Sequence, residues 1–244
     1  MKRFYLFLVL AFLVVGGGLF AHDKGDLMLN IEPQIGLVIP NIGFKVGGIK
    51  PEDIVDTSPL QIGFEWAIRG TVHYYFVDFF GVNAGMGLGG HVLIYGLTDT
   101  DDDFTYTWTN TLTGTYFTIP FGFRFSFSAL ALGAGLTANF PLSSSATFYY
   151  KETGESGKTT DDNKFEFDPY MGWYTDIGFD LSGRKDHQGG FGMMFRLAGS
   201  LGSKIGDSGK NNRIGIEYDR LRVFSMSVVF QAAIELSNLP IGGK

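Results

Sequence analysis

From Leu60 to Phe76 the chain alternates with a period of two. Even positions carry Leu60, Ile62, Phe64, Trp66, Ile68, Val72, Tyr74 and Phe76; odd positions carry Gln61, Gly63, Glu65, Ala67, Arg69, Thr71 and His73. Successive side chains of an extended chain point to opposite sides, so this stretch is a strand with one oily face and one polar face. The pattern returns along the chain, and no charged residue interrupts any of the apolar rows. Together with an export leader, such rows predict an all-β protein: a transmembrane up-and-down antiparallel β-barrel of about eight strands with long extracellular hairpin loops.

Met1 to Ala21 read as a secretory signal peptide. Lys2 and Arg3 precede the apolar run Phe4 to Val15, and small residues Gly16-Gly17-Gly18 lead to cut sites after Gly18 or Ala21. The organisation expected is therefore 1–21 as leader and 22–244 as one barrel domain. Loss of Lys2 and Arg3 leaves 17 basic against 25 acidic groups, moving the formal charge from −6 to −8, which argues against nucleic acid as a partner. With Cys 0 there is no disulfide framework and no thiolate chemistry. Gly 35, Phe 24 and Tyr 11 suit a narrow barrel, in which small residues fill the crowded interior and aromatic rings meet the membrane interfaces. No further segment reads as a membrane-spanning helix, which keeps such a chain exportable to an outer membrane.

The remaining strands follow the same rule. Leu27, Leu29, Ile31, Ile35, Leu37 and Ile39 share one face of the first; Val82, Ala84, Met86, Leu88, Val92 and Ile94 share one face of the third, opposite a glycine-rich row. Phe117 to Phe127 and Leu130 to Phe140 make the fourth and fifth, joined at Ser128-Ala129. The sixth is expected over Phe165 to Asp180 with Phe165, Phe167, Met171, Trp173, Ile177 and Phe179 outward; the seventh carries Phe191 to Leu201 and the last Phe224 to Leu236. Polar segments near 41–59, 96–114, 143–164 and 203–220 are long, and those between them short, apart from the charged 182–190. Long loops outside and short turns on the periplasmic side are what this architecture has. A turn centred on Asp78 would set Glu65 opposite His91 and His73 opposite Asn83.

On this strand pattern, the loop alternation and the strand Ile119-Pro120-Phe121-Gly122-Phe123-Arg124-Phe125, nearly the whole mature chain resembles the small eight-stranded outer-membrane barrels of the OmpX, OmpW and OmpA-domain type. The resemblance implies residence in the bacterial outer membrane, contact with its lipid and with the barrel assembly machinery, and no catalytic motif or cofactor. It implies a scaffold serving envelope integrity or contact with an extracellular or host surface ligand through the loops; the OmpW-like alternative is a narrow channel for small hydrophobic or ionic solutes. A soluble, exported lipocalin-like barrel is the other alternative, with the faces reversed. The chain departs from these families in ending on Leu236 and a polar tail instead of a terminal aromatic, and in placing Pro33, Pro120 and Pro169 within strand patterns.

The inward rows hold the titratable groups. A lumen polar network of Glu32, Glu65, Arg69, His91, Arg124, Asp176, Arg196 and Glu235 is expected, with Glu166, Asp168 and Asp180 on the same rows, because charges inside a narrow barrel must pair with one another or with water. No residue set is assigned a catalytic, cofactor or metal role, and the aspartate runs 99–103 and 161–162 read as solvated. Tyr106, Trp108, Phe148, Tyr149 and Tyr150, alternating in the long hairpins, are the candidates for contact with a surface ligand or for anchoring at the lipid headgroups.

Overall fold

The computed structural model describes residues 22–46, 48, 50, 60–101, 104–127, 129–162, 165–181, 189–202, 205 and 216–236. The leader, the two proposed cut sites and the polar tail lie outside them. Among the described residues nine strands follow one another: β1 (Leu27–Val46), β2 (Leu60–Val77), β3 (Phe80–Asp101), β4 (Phe104–Phe127), β5 (Leu130–Glu152), β6 (Lys158–Asp162), β7 (Tyr170–Asp180), β8 (Gly189–Ser200) and β9 (Ile216–Glu235). Every pairing is antiparallel, and β1 pairs with β9, so eight strands close a ring while the short β6 lies against the upper part of β5. Closure leaves no edge within the ring, the condition for sheet to cross lipid. The expected eight-stranded up-and-down barrel is the observed fold.

The facing rule holds residue by residue. Along β2 the even side chains are exposed and the odd ones buried from Gly63 to Tyr75. Asp78 and Phe79 turn the chain, and the β2–β3 register places Glu65 across from His91 and His73 across from Asn83. Outward rows such as Ile31, Ile35, Leu37 and Ile39 on β1, or Phe121, Phe123 and Phe125 on β4, are exposed to the surroundings while polar residues fill the inside. On β9 the apolar outer row runs from Phe224 to Ile234, matching the ~9–11 residues with which a tilted strand crosses a bilayer. Near the short turns a belt of aromatic rings closes this band: Tyr74 meets Phe76, Phe80 meets Phe123 and Phe79 meets Phe127, with centroids 5.1, 5.9 and 5.8 Å apart. The soluble alternative, with apolar faces turned inward across the whole barrel, does not describe this chain.

Beyond that band the wall rises unevenly. β1 to β5 and β9 continue well past the length a membrane requires, whereas β7 and β8 stop at Tyr170 and Ser200. There the environment outside the wall changes from lipid to water, and the faces exchange character. On β3 the inner row passes from Asn83, Gly85, Gly87 and His91 to Leu93, Tyr95 and Leu97; on β4 the outer row becomes Thr115, Thr113, Thr111 and Thr109 while Leu112 turns inward. These residues join Val38, Ile42, Phe44, Ala146, Phe165, Phe167, Tyr218 and Leu221 in a buried apolar cluster at the extracellular end.

Two expectations are corrected here. The sixth strand of the ring begins at Tyr170, not Phe165. Pro169 lacks the donor that a ladder uses, and the preceding residues fold inward, so Phe165 and Phe167 are 0% and 6% exposed inside the barrel and face no lipid. Ser144 holds them, donating from Oγ to the Phe165 carbonyl (2.9 Å) and accepting from the Phe167 amide (3.2 Å). Consequently Glu166 and Asp168 are not members of a lumen row. The other prolines sit inside strands at local cost: the β1–β9 ladder skips Glu32 and Pro33, and the β3–β4 ladder skips the positions opposite Ile119 and Pro120.

Candidate functional site

Within the membrane band the inward rows build one polar layer. Arg196 of β8 lies opposite Asp176 of β7 and grips it with two parallel bonds, Nε to Oδ1 and Nη2 to Oδ2, each 2.7 Å. Its Nη1 donates to Gln34 Oε1 (3.1 Å), its guanidinium lies 4.6 Å from the Tyr174 ring centre, and Glu32 Oε2 stands 3.7 Å from Nη2. Gln34 is the bridge. Its carbonyl also accepts from Arg69 Nη1, while its Nε2 donates to Glu65 Oε1 (2.6 Å) and to Ser227 Oγ (3.0 Å). Ser227 in turn donates to Glu65 (2.6 Å). Glu32 accepts from Thr71 (2.8 Å) and faces His73 Nε2 at 3.4 Å.

Toward the periplasmic end Arg124 donates to Asp180 (2.6 Å) and Gln231 (2.9 Å), and Gln231 donates to Asn30 (2.7 Å). His22 closes that mouth. Its ring stacks on Tyr75 at 3.9 Å, with Nε2 3.7 Å from Asp180, and the chain around it is tied down by the Gly25 amide to the Tyr75 carbonyl (2.8 Å) and the Tyr75 amide to the Asp26 carbonyl (3.0 Å). Glu32, Glu65, Asp176 and Asp180 are thus buried with Arg69, Arg124 and Arg196, so opposite charges stand together in a low-dielectric interior where an unpaired ion is expensive. Fork-shaped guanidinium–carboxylate pairs suit this because they satisfy several donors at once.

Above the polar layer a cavity of about 40 Å³, bounded by Glu65, Arg69, Tyr116, Tyr170 and Arg196 among others, has room for no more than a few waters. Over it lies the apolar cluster. Phe167 meets His91 edge-on at 5.0 Å and Phe165 at 4.9 Å, and Phe165 meets Tyr218 at 5.0 Å. Asn110 donates from Nδ2 to the Tyr218 hydroxyl. Crowding is severe where glycine lines the wall: a Cβ on Gly89 would lie 2.6 Å from the Tyr116 ring, and one on Gly114 2.7 Å from Phe167.

Of the lumen residues singled out from sequence, Glu32, Glu65, Arg69, Arg124, Asp176 and Arg196 meet in the polar layer. His91, across the ladder from Glu65, packs between Tyr116 and Phe167, and Glu235 lies half-exposed at the periplasmic mouth. Sequence reasoning does not single out Gln34, Ser227, Gln231 or His22. Ser227 and Gln231 are marked by the same period of two, as the row alternating with Phe224, Met226 and Phe230. Nothing local marks His22. Among the loop aromatics, Trp108 and Phe148 pack on the inner apolar cluster, with Tyr150 5.9 Å and Tyr106 6.0 Å from the Trp108 ring. Only Tyr149, across from Thr109, takes the outer face of this hairpin, so the outward aromatic surface expected there is largely an inner one. Asp162 is buried, not solvated.

An eight-stranded antiparallel ring with an apolar belt outside, a charge-paired interior and long hairpins at one end defines a class: the small transmembrane β-barrel of the bacterial outer membrane. No family model matches the chain, and no curated protein matches it. Solved structures similar to it include the outer membrane protein OprG from Pseudomonas aeruginosa, at 12% identity over 86% of this chain and 97% of that one with a TM-score of 0.42. Others are a major outer membrane protein from Thermus thermophilus, at 12% identity over 84% and 99% with a TM-score of 0.39, and Ail, the attachment invasion locus protein of Yersinia pestis, solved with the heparin analogue sucrose octasulfate, at 12% identity over 85% and 99% with a TM-score of 0.30. All three TM-scores lie below 0.5, and the class rests on the barrel's own geometry.

Proposed function

We propose that the protein is a non-catalytic envelope scaffold: a closed barrel that fixes a raised extracellular wall in the outer membrane, with that wall available to a ligand or cell surface outside. The observation supporting this is that the interior is filled in two storeys, a paired polar layer within the membrane and an apolar cluster above it, with His22 stacked into the periplasmic mouth. A conduit needs weakly held, hydrated groups along its length. Here the guanidiniums and carboxylates are bound to one another. Single-channel recording of the refolded mature chain in planar bilayers tests the proposal: silent membranes at a protein density that heat-modifiable gel mobility shows to be folded are expected. Discrete conductance steps would overturn it in favour of the narrow channel.

A further inference from the structure

One flank of the outer boundary is built differently from the rest. β8 ends at Ser200, paired no further than Gly199 with Phe224, whereas β9 continues beyond it to Ile216. The Val223 amide turns to Ser200 Oγ (3.0 Å) to finish the ladder. Beside this end of β8 lies a groove of about 510 Å³, whose floor includes outward Ile39, Trp173 and Phe224 and whose upper rim includes Asn41, Ser200 and Arg222. Trp173 and Phe224 are in ring contact at 6.2 Å.

The charged residue that lines the groove, Arg222, is basic in a protein that is acidic overall, and Arg220 stands two residues further along β9. Arg220 and Arg222 alternate outward on β9 directly above Phe224, both exposed and without a carboxylate partner among the described residues; Lys45 on the neighbouring β1 lies across from Glu217. Phe224 is the last apolar residue of the β9 belt, so these guanidiniums stand at the height of the headgroups on the side of the long hairpins. We infer that this groove, with Arg222 on its rim and Arg220 just above, seats a phosphorylated lipid of the outer leaflet, phosphate on the guanidiniums and hydrocarbon on Ile39, Trp173 and Phe224. Charge complementarity selects the occupant. Guanidinium binds phosphate through paired N–H donors, and an apolar floor below a cationic rim at a membrane boundary matches an amphiphile oriented with its headgroup outward. A soluble anion would use the rim and leave the floor bare.

The test uses the refolded mature chain in phosphatidylcholine discs doped with bis-phosphorylated lipid A, read by native mass spectrometry of lipid retained on the barrel. Wild-type protein is expected to retain lipid A; the R220A/R222A variant is expected to hold roughly thirtyfold less, as for two lost basic contacts near a membrane surface, and R222K to recover part of it. Dephosphorylated lipid A should bind wild type no better than lipid A binds the double variant. The K151A/K158A variant, altered on a distant hairpin, should retain as much as wild type. Retention unchanged by R220A/R222A, equal retention of the dephosphorylated lipid, or equal loss in K151A/K158A would overturn the inference. Displacement by millimolar inorganic phosphate would overturn the lipid assignment. Heat-modifiable mobility verifies that each variant is a closed barrel, and if R220A/R222A does not close, the salt dependence of retention by wild type decides, with salt-insensitive binding counting against a phosphate seat.

Discussion

Arg196→Met and Asp176→Asn attack the same ion pair from its two sides, and the structure makes their consequences unequal. Methionine at position 196 removes both 2.7 Å bonds to Asp176, the bond to Gln34, the 3.7 Å approach to Glu32 and the contact with Tyr174. It leaves Glu32, Glu65, Asp176 and Asp180 facing only Arg69 and Arg124 as guanidiniums. Removing one partner of a buried pair destabilises by about 3–5 kcal/mol, because the survivor stays buried and uncompensated. Asparagine at position 176 instead leaves three carboxylates with three guanidiniums, and Arg196 keeps Gln34 and Glu32. A lost charge-assisted bond in a site left with equal numbers of opposite charges is worth about 1–3 kcal/mol. Urea unfolding in lipid vesicles, followed by gel mobility and tryptophan fluorescence, gives both values; the double variant should be closer to the asparagine variant than to the sum of the two, since the sites share one interaction. Equal losses, or an Arg196→Met loss under about 1 kcal/mol, would refute the picture of a buried layer of paired charges.

Phe123→Arg places a charge on the lipid face of β4, where Phe123 is 54% exposed, and should cost about 2–4 kcal/mol of insertion; vesicle flotation should recover much less of it than of wild type. Phe167→Ala should lower stability by about 3–5 kcal/mol through the cavity it opens in the extracellular cluster, and hasten protease cleavage of the hairpins, while membrane insertion is retained. Burial holds the Tyr218 phenol, at the hairpin end of β9, above its ordinary value of 10.0, although the bond from Asn110 opposes this. Folding therefore favours the neutral phenol, whose stabilising contribution is complete below the ordinary value and is lost as pH rises through it toward the raised one. Unfolding midpoints should fall above about pH 10, and less steeply in Tyr218→Phe.

What is readable in the chain is whatever the membrane dictates directly. A lipid-facing row must be apolar at every second residue, so facing and strand count emerge from alternation, and the tight turn at Asp78 fixes the β2–β3 register because antiparallel partners sum to a constant. The errors lie where that rule ceases to apply. Phe165 and Phe167 obey the period of two and so point to lipid on sequence alone, but Pro169 breaks the ladder below them and the preceding segment turns into the barrel. Gln34 and Ser227 look like ordinary lumen polar groups; their bridging role depends on β1, β2, β8 and β9 meeting around the ring, and the contacts to β8 and β9 join residues more than 150 positions apart, which no local pattern encodes.

The hairpin aromatics mislead for a related and more instructive reason. Alternation tells that a strand has two faces, and only the surroundings tell which face is inside. Below the outer boundary the oily face looks out; above it, water surrounds the wall and the oily face must look in. The chain makes this exchange by two devices. On β4 the backbone keeps its facing and the residues change, from outward Phe117–Phe127 to inward Tyr116, Leu112 and Trp108 with threonines outside. On β5 the even residues stay apolar and the backbone changes: the register slips where Thr115 and Tyr116 meet Ser143 and Pro141, turning the even row from outward Phe140 and Leu142 to inward Ala146 and Phe148. Another irregularity, between Gly43 and Phe44 on β1, inserts Asp219 into β9 and keeps both Phe44 and Tyr218 in the cluster. A bulge adds one residue to one strand and thereby reverses facing beyond it. The bulges therefore belong at the level where lipid gives way to water, and the phase of the hydrophobic row across Thr115–Phe117 marks the outer membrane surface on this barrel.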